Sequence, residues 1–142
     1  MLVRLVMISV LAAMLGTNAV ARTSINCTDA ESISADNAAH AVHNWATMYQ
    51  VFRNYARCDD GAIAEQLSDR VEMLLTNQWQ SVRELSHLAA SEPRFKEFVL
   101  NHIDVTMYEK GLSDIAFNAI RRCPHEIKAL CEKIATKAKN PE

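Results

Sequence analysis

Four cysteines, Cys27, Cys58, Cys123 and Cys131, are the residues best equipped for chemistry in this 142-residue chain. Two uses compete for them: a pair of disulfides, or a tetrahedral zinc site. Cysteine-rich zinc sites normally show close pairs such as C-x2-C, and none occurs here. An even count in an exported domain reads as a crosslinked framework, so all four are assigned to disulfides. Helix geometry then prunes the connectivities. If residues 124–131 form one helix, Cys123 and Cys131 are separated by about 12 Å, at 1.5 Å rise per residue. A disulfide needs its Cα atoms within ~7 Å. Cys123–Cys131 is therefore disfavoured, unless the last helix starts late behind a turn. Two pairings remain: Cys58–Cys123 with Cys27–Cys131, or Cys58–Cys131 with Cys27–Cys123. Both send Cys58 to the C-terminal region.

The other chemical signals are thin. His40 and His43 are one helical turn apart if they share a helix, a spacing at which two imidazoles can hold a metal. No third ligand stands near them in the sequence, and two solvated histidines is the preferred reading. His87, His102 and His125 are scattered. The chain has no G-x-S-x-G elbow, no H-E-x-x-H and no glycine-rich phosphate loop. Crosslinked cysteines are not available as nucleophiles. No catalytic residue, metal ligand or cofactor is assigned, and a binding protein is favoured over an enzyme.

The first residues set the compartment. Arg4 precedes an apolar stretch over residues 5–15, then Gly16-Thr17-Asn18, then Ala19-Val20-Ala21. A positive start, a short apolar run and a small-x-small site are the three parts of a secretory signal. The run is too short for a membrane span, which takes ~20 residues. Residues 1–21 are expected to be removed between Ala21 and Arg22, leaving residues 22–142 as one periplasmic domain with no membrane attachment. Loss of Arg4 from the 15 basic residues leaves 14 against 17 acidic ones, a net charge of −3. Such a chain has no electrostatic reason to seek nucleic acid or anionic lipid.

The elements that must position these residues are helical. The chain contains only 3 Gly and 3 Pro, and its apolar positions recur at helical rather than alternating spacing. The expected fold class is all-α, a single small bundle of about five to six helices with disulfide crosslinks. A first helix is predicted over residues 35–57 with Ser34 as N-cap. It would bury Ala38, Ala41, Val42, Trp45, Met48, Tyr49, Phe52 and Ala56. A second covers residues 61–76, burying Ile63, Leu67, Val71, Leu74 and Leu75. A shorter segment carries Val82, Leu85, Leu88 and Ala89. A fourth helix opens at Pro93, which suits a first turn, and runs to about residue 103. Residues 104–112 look irregular. A fifth helix spans residues 113–122 with Ile115, Ala116, Ala119 and Ile120 inward. The last starts near Pro124. Residues 22–32 and 139–142 are expected to be loose unless Cys27 ties the front down.

Candidate partner-binding residues follow from this layout. Asp59, Asp60, Glu65, Asp69 and Glu72 fall along one side of the second helix and its entry turn, a face able to steer a basic partner. Trp79 stands in the polar stretch Asn77-Gln78-Trp79-Gln80. It is either an exposed anchor of the kind enriched at interfaces or a plug folded back into the core. The irregular segment adds Tyr108 and Glu109.

Met48-Tyr49-Gln50-Val51-Phe52, followed by Ala56-Arg57-Cys58 and a further cysteine near the C-terminal helix, resembles the periplasmic immunity proteins of type VI secretion systems. The likeness is to the family that neutralises peptidoglycan amidase toxins. It covers the first mature helix and, beyond it, only the layout. Residues 59–122 depart from the family pattern, so no toxin-contacting residue is carried over by position. The resemblance implies an all-helical fold, often a homodimer, that blocks the active-site groove of a secreted toxin or effector. The alternatives are an envelope hydrolase, or a non-catalytic envelope adaptor or stress protein.

Overall fold

The computed structural model describes residues 26–142. The predicted leader, its cleavage point and residues 22–25 lie outside the described residues. Within them the chain forms seven α-helices: α1 (Asp29–His40), α2 (Trp45–Tyr55), α3 (Gly61–Asn77), α4 (Val82–Ser91), α5 (Pro93–Asn101), α6 (Glu109–Arg121) and α7 (Lys128–Lys139). Short 3-10 turns at Ala56–Cys58, Trp79–Ser81 and His125–Ile127 join some of them. No strand occurs among the described residues, and the all-α expectation holds. None of the helices described is long and apolar enough to cross a membrane.

The helix predicted over residues 35–57 is two helices, and local hydrogen bonding explains the break. Asn44 caps α2: its side chain accepts from the Thr47 N–H at 2.8 Å, while the Thr47 hydroxyl accepts from the Asn44 N–H. This reciprocal pair satisfies donors that a helix start leaves open, so it competes with continuing α1. The start of α1 is capped in the same way by Thr28 and Glu31. Ser34 therefore lies inside α1, and its hydroxyl donates to the Ala30 carbonyl.

The break brings Cys27 back to Cys58. Because the chain turns between α1 and α2, α1 packs on both α2 and the 3-10 turn at Ala56–Cys58. The Cys27–Cys58 disulfide has a Cα–Cα distance of 4.9 Å. The second disulfide is Cys123–Cys131, with Cα atoms 6.0 Å apart. Both pairings favoured from the sequence are thus corrected. The premise that failed was a helix running unbroken from residue 124. Pro124 is extended (φ −62°, ψ 135°), a 3-10 turn follows, and α7 begins only at Lys128. The chain between the two sulfurs is folded back, not stretched along a helix axis.

One core runs through the described residues. Its largest fully buried side chains include Trp45, Met48, Leu67, Leu74, Leu85, Phe95, Ile103, Ile115 and Ile134. Tyr49, Phe52, Phe95 and Phe98 form an aromatic cluster with centroid spacings of 5.0–6.3 Å, and it holds α2 to α5. The predicted inner face of α3 is buried as expected, with Ile63, Leu67, Val71, Leu74 and Leu75 all under cover. Helix α6 starts earlier than predicted, at Glu109, and turns Ile115, Ala116 and Ala119 inward. Ile120 corrects its expectation: it is 51% exposed, beside Phe117 at 53%. Ala41 and Ala56, assigned to the first stripe, are also exposed.

Candidate functional site

The site is best followed from the turn between α5 and α6. Helix α5 ends as the Ile103 N–H donates to the Leu100 carbonyl, and the Met107 N–H then donates to Asp104. Ile103 and Met107 point into the core at 1% and 5% exposure. Between and beyond these anchors, Val105 and Tyr108 are pushed outward, at 67% and 80% exposure. Asp104 organises the turn. Its carboxylate accepts from the Thr106 N–H at 2.8 Å, the Thr106 hydroxyl at 2.6 Å and the Ser68 hydroxyl at 2.7 Å. Burial raises the Asp104 carboxyl, but the Thr106 and Ser68 donors and the charge of His102 outweigh it, so its pKa ends below the ordinary value.

Behind the turn sits His102, a ring only 4% exposed. Its Nδ1 lies 2.8 Å from the Phe98 carbonyl oxygen and its Nε2 lies 3.0 Å from Asp59 Oδ1. Burial opposes charge on the ring. The hydrogen bond and charge of Asp59, the Phe98 carbonyl and Asp104 outweigh burial and raise the ring above the usual histidine value.

Beside the turn, α3 and α6 approach closely at Gly111. The Glu72 carboxylate lies against this glycine, where a Cβ would collide with it. Burial raises the Glu72 carboxyl, as do the negative charges of Asp69 and Asp114, and the Tyr108 backbone N–H offsets them only in part. Asp69 and Glu72 thus place negative charge next to the exposed Tyr108, with Glu109 exposed at the start of α6, while Asp114 is ion-paired with Lys110.

The sequence candidates divide accordingly. Asp69, Glu72, Tyr108 and Glu109 come together. Glu65 is exposed one turn before Asp69. Asp60 is the N-cap of α3, accepting from the Gly61 N–H at 2.8 Å, and Gly61 itself takes the left-handed conformation (φ 52°) that favours glycine. Asp59 is held by His102. Trp79 is removed from the surface set: it is 6% exposed, and its indole N–H donates to the Arg122 carbonyl at 2.9 Å. It is the plug, tying the start of α4 to the end of α6.

Residues missed from the sequence are Ser68, His102, Asp104, Gly111, Asp114 and Asn118. Their signals were faint. Ser68 and Asn118 are polar residues on apolar stripes, and Asp104-Val105-Thr106 has the spacing of a side-chain-stabilised turn. Asn118, 4% exposed, donates through Nδ2 to the Leu75 carbonyl at 3.0 Å and so closes the end of α3.

Ser68, His102 and two aspartates have the composition of a hydrolytic triad but not its wiring. The Ser68 hydroxyl donates to Asp104, both imidazole nitrogens face other acceptors, and Ser68 is 1% exposed. His40 is the last residue of α1, and His43 lies beyond its end. His40 contacts Gln66, and His43 Nδ1 lies 2.9 Å from the Ala41 carbonyl oxygen. Among the described residues, the only grouping of ligand-type side chains close enough to share a metal ion is Cys27, Glu31 and Cys58. Two of its members are joined in a disulfide, and Glu31 pairs with Arg57.

The fold and surface define a disulfide-crosslinked helical domain with an aromatic-tipped, acidic exposed turn. No protein-family model, curated protein or solved structure matches the chain.

Proposed function

We propose that this chain is a periplasmic protein-binding inhibitor, an immunity protein that neutralises a cell-wall-degrading type VI secretion effector by covering its active-site groove. The carrying observation is Tyr108, 80% exposed on a turn pinned from beneath and flanked by the carboxylates of Asp69 and Glu72. Tyrosine joins a large apolar area to a polar tip and is enriched among interface hot spots. The carboxylates suit a basic rim around the pocket that receives the ring, and they speed encounter with such a partner. Export through a cleavable leader would bring the chain to the compartment where peptidoglycan lies. Two disulfides suit an oxidising compartment.

Affinity capture from periplasm, with identification of the bound protein, is the test. A secreted cell-wall hydrolase is expected, released by salt as charge attraction is screened. Tyr108→Ala and Asp69→Lys should each weaken capture and lower survival against the effector, with no fall in the melting temperature. Undiminished capture and survival in both variants, or the absence of any secreted effector, would overturn this reading.

A further inference from the structure

We propose that His102 is a buried imidazolium that latches the turn carrying Val105 and Tyr108, and that loss of one ring proton loosens this turn. The geometry carries it. Both ring nitrogens lie within hydrogen-bond distance of acceptors, the Phe98 carbonyl at Nδ1 and the Asp59 carboxylate at Nε2. Neither a carbonyl nor an ionised carboxylate can donate, and a neutral imidazole has one N–H. Only the doubly protonated ring satisfies both partners. At 4% exposure, water is not at hand to replace a lost one.

The charged groups facing the ring are both acidic: Asp59 from the turn before α3, and Asp104 two residues further along the latched segment. Ser68 of α3 has its hydroxyl committed to Asp104. On the α5 side the ring meets Phe98, with centroids 4.5 Å apart. Deprotonation at Nε2 would set a lone pair against the Asp59 carboxylate. Deprotonation at Nδ1 would release the Phe98 carbonyl near the end of α5. Either event also removes the positive charge beside Asp104, the acceptor that holds Thr106 and Ser68. Ile103 and Met107 remain buried, so the response is a local loosening of residues 103–108. Because the ring's pKa is raised in the fold, the latch is closed below that raised value and opens as pH rises through it.

As regulation of the docking surface, the latch rests on the function proposed above. It is tested on the free oxidised protein, so its failure and the failure of partner capture are separate results. Nitrogen-detected NMR of the imidazole should find both ring nitrogens of His102 protonated at the pH where an ordinary histidine is half-titrated. On alkalisation, one proton should leave at a pH above the ordinary histidine value. Over the same range, amide exchange at residues 103–108 should accelerate about tenfold relative to α4 amides, as for loss of one charged hydrogen bond. Asp59→Asn should move both midpoints down together. His102→Phe, which keeps an aromatic ring against Phe98, should abolish the pH response of the turn. A His102 ring that loses its proton at or below the ordinary histidine value would overturn the latch, as would turn exchange that ignores the ring's titration or keeps its pH response in His102→Phe.

Discussion

Cys123 and Cys131 lie 6.0 Å apart at their Cα atoms, joined across an extended proline and a single 3-10 turn. The other bridge, Cys27–Cys58, closes a much longer stretch, 31 residues against 8. Non-reducing peptide mapping should recover these two pairs and no other. The two bridges should also differ in weight. In the chain-entropy model, loops of these lengths are worth about 4 and about 2.5 kcal/mol. Replacing Cys27 and Cys58 together with serine should therefore lower the unfolding free energy more than replacing Cys123 and Cys131. Equal or reversed losses in urea titrations would contradict that ranking.

Trp79 joins the start of α4 to the end of α6 through its indole N–H and the Arg122 carbonyl. Trp79→Phe keeps most of the apolar volume and deletes the donor, and should cost about 1–3 kcal/mol. Trp79→Ala also opens a cavity and should cost about 3–5 kcal/mol. Chemical denaturation of the two variants separates the hydrogen bond from the packing.

Glu72 is a carboxyl whose pKa is raised by burial and by Asp69 and Asp114. A raised acid binds its proton more readily folded than unfolded, so its charge at neutral pH works against the fold. Stability from this group should be regained as pH falls through its raised value, toward the unfolded carboxylate range. Glu72→Gln should be more stable than the parent at neutral pH, by roughly 0.2–0.5 kcal/mol for each like-charge neighbour relieved. The advantage should disappear in acid. Thermal melts of both proteins across pH would reveal the convergence.

Thr28 and Glu31 cap α1 reciprocally, and Glu31 also pairs with Arg57 next to the Cys27–Cys58 bridge. The Arg57 hydrogen bond, with help from Thr28, lowers the Glu31 carboxyl to about 2. A depressed acid supports the fold above its ordinary value of 4.5 and loses that support as pH falls toward about 2. Thr28→Ala should cost ~1 kcal/mol, the usual worth of an N-cap. Glu31→Gln should flatten this part of the acid-unfolding curve.

Much of the architecture was legible along the chain. The stripe Ile63, Leu67, Val71, Leu74 and Leu75 gave α3 its inner face, and Pro93 marked the start of α5. These features are local: a helix face is set by residues three and four apart, and both members of each step are in view. Two of the helix starts that were missed, at Asp29 and Trp45, also had local signals, Thr28 with Glu31 and Asn44 with Thr47. The run of apolar residues through Ala41 and Val42 masked the second of them.

The candidate surface was half legible. Asp69, Glu72, Tyr108 and Glu109 could be named from charge and irregularity. Their meeting across α3 and α6 depends on Gly111, whose missing side chain admits Glu72. Trp79 shows the converse, since its polar neighbours suggest exposure while a carbonyl 43 residues away draws it inward.

The sequence by itself determined an all-helical chain with four cysteines and the buried faces of most of its helices. Tertiary structure alone decided which sulfurs join, which way Trp79 and Ile120 face, and that His102 meets Asp59. The physical reason is range: periodicity and capping act within one or two turns, whereas a disulfide, a buried ring and an ion pair need groups many residues apart to arrive together. A shift of a few residues in where α7 begins is enough to exchange one crosslink pattern for another.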